Sequence, residues 1–154
     1  PFPAQIKAVV DKTIRFRRMA HSAEDLTGFF IERDYGHQMR LTHSDVKHGF
    51  VLNFPDQPNF DISELESKVL EVIQADLSLE VHPEGTIAFG ENVIHCTGPR
   101  THVKSTGEIE NFRLVREFKY NPLTREYLLI GMVGHNETAG FEELTKASGF
   151  DGGD

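Results

Sequence analysis

The sequence is short of the features that would place it in several familiar classes. It holds one cysteine, Cys96, and a single thiol cannot close an internal disulfide. No apolar run approaches the roughly 18 residues that a membrane-spanning helix needs. Positive charge is scarce: 16 lysines and arginines stand against 24 aspartates and glutamates, a formal net charge of -8. A nucleic-acid partner needs a basic footprint to displace counterions. The local basic run "RFRR" at 15–18 reads instead as a solvated helix face. There is no glycine-rich phosphate loop, no Gly-x-Ser-x-Gly elbow and no paired-cysteine metal site, which argues against nucleotide enzymes and serine hydrolases. The opening "PFPAQIKAVV" lacks a basic segment followed by an apolar stretch, so no secretory signal is expected. The resulting expectation is a cytoplasmic, reducing location with neither membrane nor nucleic acid as partner.

What is present is an ordinary globular composition. The 154 residues are 38% hydrophobic and 26% charged, a length that suggests one domain with a real core. We expect that domain over 1–136, followed by a tail over 137–154 with a short helix and a disordered end.

Periodicity sets the elements. "PAQIKAVVDKTIRFRRMA" predicts a helix, with Ile6, Val9, Val10 and Phe16 at three- and four-residue spacing. A second, short helix is predicted in "HSAEDLTGFFIE", where Ser22 with Asp25 three residues later resembles a capping box. "HQMRLTH" and "HGFVLNF" read as two extended pieces. "DISELESKVLEVIQADLS" is the clearest helix, capped by Asp61 or Ser63, with Leu65, Val69, Val72 and Ile73 as its apolar stripe. The remainder reads as strand: "SLEVHPEG", "TIAFGENVIHCTG", "THVKSTGEIENFRLVREFKY" and "REYLLIGMVGHN", with turns at "PEG", "GPR", "STG" and "NPLTR". Short turns between consecutive strands demand antiparallel pairing and exclude a doubly wound parallel sheet. The predicted fold class is α+β: a curved antiparallel sheet with about three helices packed on it, leaving a cone-shaped pocket.

This order of elements resembles the nuclear transport factor 2-like superfamily, the cystatin-like α+β cone. Within it, "ENVIHCTGPRTHVKSTGE" followed by "NFRLVREFKYNPLTREYLLIGMV" is similar to the C-terminal half of SnoaL-like proteins, with Thr101, His102 and Gly107 as the matching residues. The resemblance implies function inside the cone, a homodimer, and acid–base chemistry without metal or organic cofactor. It implies a mostly hydrophobic small-molecule substrate and an isomerase, cyclase, dehydratase or hydrolase. One departure is "GMVGHNE", which has His135 where an acid is usual in SnoaL-like cyclases.

Several side chains suit such chemistry. On a strand, His95 shares a face with Val93, so it is expected to look into an apolar cavity and shuttle a proton near neutral pH; a bond to a neighbouring carbonyl is the plainer reading. His102, just past the turn, is either an acid–base group or a brace for that turn. Cys96 reads as buried filler. In "NFRLVREFKY", Phe112, Leu114, Arg116, Phe118 and Tyr120 share one face. Asn111 and Arg113 reach the pocket only if a bulge reverses the phase, and would then hold a carbonyl or carboxylate. Arg116, among aromatics, needs an anionic partner from protein or ligand.

In "DYGHQMRLTHSDVKHG", His43, Asp45 and His48 lack accepted metal spacing. Tyr35, His37 and Arg40 are expected at the mouth of the cone, with a histidine tuned by Asp34 or Asp45. The expected catalytic set is therefore His95, His102, Arg113 and Tyr35, with no metal. The expected substrate-binding set is His37, Arg40, His43, Asn111, Arg116 and Tyr120. The competing expectation is a non-catalytic binding or dimerisation module of the same fold.

Overall fold

The N-terminal region folds as one helix rather than two. A computed structural model describes residues 4–41, 49–95 and 102–134, and α1 runs unbroken over Ala4–Phe30. The expected restart at Ser22 is overturned. Ser22 is buried inside the helix, and its hydroxyl reaches across to residues 102 and 103. A hydroxyl and a carboxylate three residues apart are same-sided in a continuous helix as well as in a cap, so the local pattern does not separate the two. Beyond Phe30 the chain makes one wide π turn, Ile31–Tyr35, and Gly36 ends it in the left-handed conformation.

The elements that follow are short. β1 is Arg40–Leu41 and β2 is Gly49–Phe54. α2 is Ile62–Ala75, capped by the Asp61 carboxylate, which accepts from the Ser63 amide at 2.8 Å. β3 is Leu79–Val81, β4 Thr86–Phe89 and β5 Asn92–His95. "TIAFGENVIHCTG", expected as one strand, is split into a hairpin because Gly90 takes a positive φ of 56°. A 3-10 turn, Thr106–Glu108, interrupts the long run expected after residue 101. β6 (Arg113–Leu114), β7 (Lys119–Asn121) and β8 (Glu126–Met132) complete the set.

The fold is α+β with two α-helices among the described residues, not three. Two open antiparallel sheets accompany them. The larger has the order β1-β2-β8-β6, with β7 also on β8. The smaller is the meander β3-β4-β5. Leu114 stands opposite Gly131 and Lys119 opposite Leu128. Five steps along one strand therefore answer three along the other, and two extra residues sit between β6 and β7. An even insertion preserves side-chain parity. Phe112 and Leu114 stay in the core, and the phase reversal that would turn Asn111 and Arg113 inward does not occur.

Both helices pack on one face of the larger sheet. Met19, Ala23 and Leu26 of α1 and Leu65 and Val69 of α2 meet Phe50, Leu52 and Leu129 of the sheet, and Ile87, Phe89 and Ile94 join from the smaller sheet. Leu52, Leu65, Val69 and Leu129 have no accessible surface, so no water-sized void touches them. Side chains, not a hollow, occupy this part of the space where a cone was expected. The fit is close: Phe50 lies across Gly131, where a Cβ would fall 2.2 Å from the ring. Among the described residues no helix is long and apolar enough to cross a membrane. The tail expected over 137–154 lies outside the described residues.

Candidate functional site

A stripe on α1 organises the candidate site. Arg15, Arg18, Ser22 and Asp25 follow at three- and four-residue steps, so they line one helix face. The segment that begins at His102 lies over the inner half of this stripe. His102 places Nδ1 3.1 Å from Ser22 Oγ and Nε2 3.4 Å from Asp25 Oδ2. The Val103 amide donates to Ser22 Oγ at 3.1 Å. One neutral tautomer suits these contacts: the Ser22 hydroxyl donates to Nδ1, and the Nε2 hydrogen points at Asp25. The arrangement is a hydroxyl–imidazole–carboxylate relay of the kind that can move a proton. It is also enclosed. Ser22 is 1% exposed, and the His102 and Asp25 side chains are 3% and 9% exposed. A hydroxyl buried to that degree has no open side for a substrate, so Ser22 is not a nucleophile in this conformation.

The continuation of the segment braces α2. Thr106 is fully buried. Its hydroxyl donates to Val72 O at 2.6 Å and accepts from the Leu77 amide at 2.8 Å, serving orphan groups at the helix C-terminus. The Gly107 amide donates to Asp76 Oδ1 at 3.0 Å. A Cβ on Gly107 would fall 2.5 Å from that same oxygen, so the close approach requires glycine. Glu108 Oε2 accepts from the Lys104 and Ser105 amides, each at 2.8 Å. The stretch "HVKSTGE" is thus a clamp between α1 and α2.

A groove of about 610 Å³ lies between this clamp and the outer half of α1. Ile14, Arg15, Arg18 and Met19 form the helical wall. Val103 contributes an apolar surface, and Gly107, Glu108 and Glu110 stand on the other side. Arg15 is ion-paired with Glu110. Because Val103 follows His102 directly, the relay sits next to the groove but behind protein.

The other expected site residues lie elsewhere. His95 ends β5 opposite Thr86 and is exposed. Its face is the outer one: Val93 is 47% exposed, while Ile94 is buried. The inward orientation expected for His95 is therefore overturned. The alternation holds, but Val93 and Ile94 are equally apolar, and spacing alone does not say which of them faces the core.

Tyr35 and His37 do come together, around Phe60. The Tyr35 ring stacks on Phe60 at 4.7 Å, and its hydroxyl donates to Glu64 Oε1 at 2.7 Å. Burial, and then that bond to Glu64, raises the phenol's pKa well above its usual value. Tyr35 therefore stays protonated, a donor and not a base. His37 Nε2 lies 3.2 Å from Asn59 Oδ1 and its ring 5.7 Å from Phe60. Asp34 does not pair with a histidine as expected. Hydrogen bonds from Arg33 and then Lys68 bring its pKa down to about 2.

Two of the arginines expected to hold substrate, Arg113 and Arg116, hold protein. Arg113 Nη1 donates to Asn111 O at 2.7 Å and to Gly134 O at 3.0 Å. Asn111, at a φ of 52°, donates its own amide to Gly134 O at 2.7 Å. Arg116 finds a protein carboxylate, donating to Glu66 Oε1 at 2.7 Å and to Ser63 Oγ at 3.1 Å. Tyr120 is partly exposed and lies 5.0 Å from the Tyr127 ring. The Arg40 backbone pairs with Asn53 in the β1–β2 ladder, and its side chain lies outside the described residues. His43, Asp45, His48, Cys96 and His135 lie outside the described residues.

Reading by local pattern missed Asp25 as a partner of His102, and Arg18 as a groove residue. The available signal was the polar stripe at 15, 18, 22 and 25, which runs beside the apolar stripe at 16, 19, 23 and 26. It becomes visible only when the two expected helices are joined. No protein-family model matches the chain, and no curated protein matches it.

Proposed function

We propose that this chain is a non-catalytic small-molecule-binding module, with its ligand in the groove between α1 and the 103–110 segment. The observation that carries this reading is the contrast between committed and open surfaces. Arg113, Arg116, Asn111 and Tyr35 spend their hydrogen bonds on protein, whereas the groove is a concavity of ligand size. The test is backbone-amide NMR of the full chain against a library of small amphiphiles. Ligand-induced shifts at 14–19 and 103–110 support the groove. Shifts confined to the cluster around Tyr35, His37 and Phe60, or none anywhere, defeat it.

A second reading is a cofactor-independent acid–base enzyme acting on a mostly hydrophobic small molecule, by isomerisation, cyclisation, dehydration or hydrolysis. One observation favours it: His102 is held between a hydroxyl and a carboxylate, directly behind a groove-lining residue. Kinship with SnoaL-like proteins, and the homodimer it implies, go with either reading. The enzyme reading requires the 102–103 segment to lift and expose the ring. Under it, His102→Asn abolishes turnover of a substrate found by screening while circular dichroism stays native; turnover that survives the substitution rules His102 out.

A further inference from the structure

The charges around the groove are not evenly committed. Of its four charged side chains, Arg15 and Glu110 pair with each other, and Glu108 is turned to the amides of its own turn. Arg18 has no carboxylate partner among the described residues, yet it stands on the groove wall. The surfaces beside it are apolar. Ile14, one turn before Arg18, is 42% exposed, and Val103 continues the same lining, with the buried Met19 beneath it.

We infer, resting on the groove-binding reading above, that the ligand is a small monocarboxylate with an apolar body. Its carboxylate lies on the Arg18 guanidinium, and its body lies along Ile14 and Val103. The guanidinium presents two parallel N–H donors that match a carboxylate's two oxygens. The groove's formal charges sum to zero, two positive and two negative, with one cation uncommitted. That balance suits a single negative charge. A phosphate or other dianion would meet Glu108 and Glu110 without a second free cation to offset them. A cationic ligand would have to displace either the Arg15 pair or the backbone amides that occupy Glu108.

The experiment compares octanoate, 1-octanol and octylamine, each below its aggregation limit, by NMR titration of the full chain at low salt. Octanoate is expected to shift amides at 14–19 and 103–110 and to bind at least about fivefold more tightly than octanol, the scale of one partly exposed ion pair. Arg18→Gln, an exposed position that leaves the core untouched, should bring octanoate down to the level of octanol. Arg18→Lys should retain part of the preference. Inorganic phosphate should compete poorly. If octanol or octylamine binds the groove as well as octanoate, or phosphate displaces octanoate efficiently, the monocarboxylate assignment is wrong while groove binding stands. If none of the three probes moves groove amides, the groove-binding reading falls and this assignment with it.

Discussion

His102 is placed by two atoms one helical turn apart, Ser22 Oγ and Asp25 Oδ2. Ser22 also accepts from Val103 N, so its hydroxyl serves two buried partners. Ser22→Ala should cost about 1–3 kcal/mol, because the amide and the imidazole nitrogen both lose a partner away from water. Urea denaturation checks this, and a change below about 0.5 kcal/mol would mean that the relay carries little of the fold. Asp34 gives a prediction of opposite pH character to a histidine switch. Its folded pKa of about 2 lies below the ordinary value of about 3.9. A lowered carboxylate stabilises the fold above its unfolded pKa, and that contribution is lost as pH falls through the folded one. The pair is surface-exposed, so the amount is at most about 1 kcal/mol. Asp34→Asn should be less stable than the parent at about pH 6, and the gap should close near pH 2. A gap constant with pH would show that ionisation plays no part.

At the scale of elements, α2 was legible because its information is local. Asp61 caps it, and Leu65 and Val69 repeat at helical spacing and are buried. Its other end was not legible, because the capping group comes from Thr106 in a separate segment. The same holds for α1. Its continuity through Ser22 depends on His102 and Val103, far away in the chain, and a local reading substitutes a nearer explanation. The stretch after residue 101 alternates like a strand. It forms a clamp because Thr106, Gly107 and Glu108 bond to α2 and to their own turn. Thr106→Val keeps the shape and removes the hydroxyl, leaving the Leu77 amide and the Val72 carbonyl without it. We expect a loss of about 1–3 kcal/mol and faster amide exchange at Asp76 and Leu77. Unchanged protection at those two amides would argue that water replaces the hydroxyl at no cost.

For the molecule as a whole, apolar periodicity and the short turns between strands identify the α+β class, the antiparallel pairing and much of the core. Periodicity does not decide which face of β5 turns inward, because Val93 and Ile94 are equally apolar, and His95 lies on the exposed side with Val93. The two sheets share one interior: Ile87, Phe89 and Ile94 of the smaller sheet belong to the same cluster as Leu52 and Leu129 of the larger. They should therefore unfold together. Phe89→Ala and Leu129→Ala, on different sheets, should each lower a single cooperative transition by about 2–5 kcal/mol. Far-ultraviolet circular dichroism and tyrosine fluorescence should give the same midpoint for each variant. Two separated transitions in the Phe89 variant would mean that the smaller sheet is an independent unit.

β8 lies between β2 on one flank and β6 and β7 on the other, yet it is the last of these strands to be synthesised. On the ribosome, β2 therefore emerges long before its principal neighbour exists. All six of its residues are buried in the finished protein, so throughout that interval an apolar segment with an unfilled hydrogen-bonding edge is open to other nascent chains. The demand for a holding chaperone during translation, and the origin of any inclusion bodies on overexpression, should centre on Gly49–Phe54.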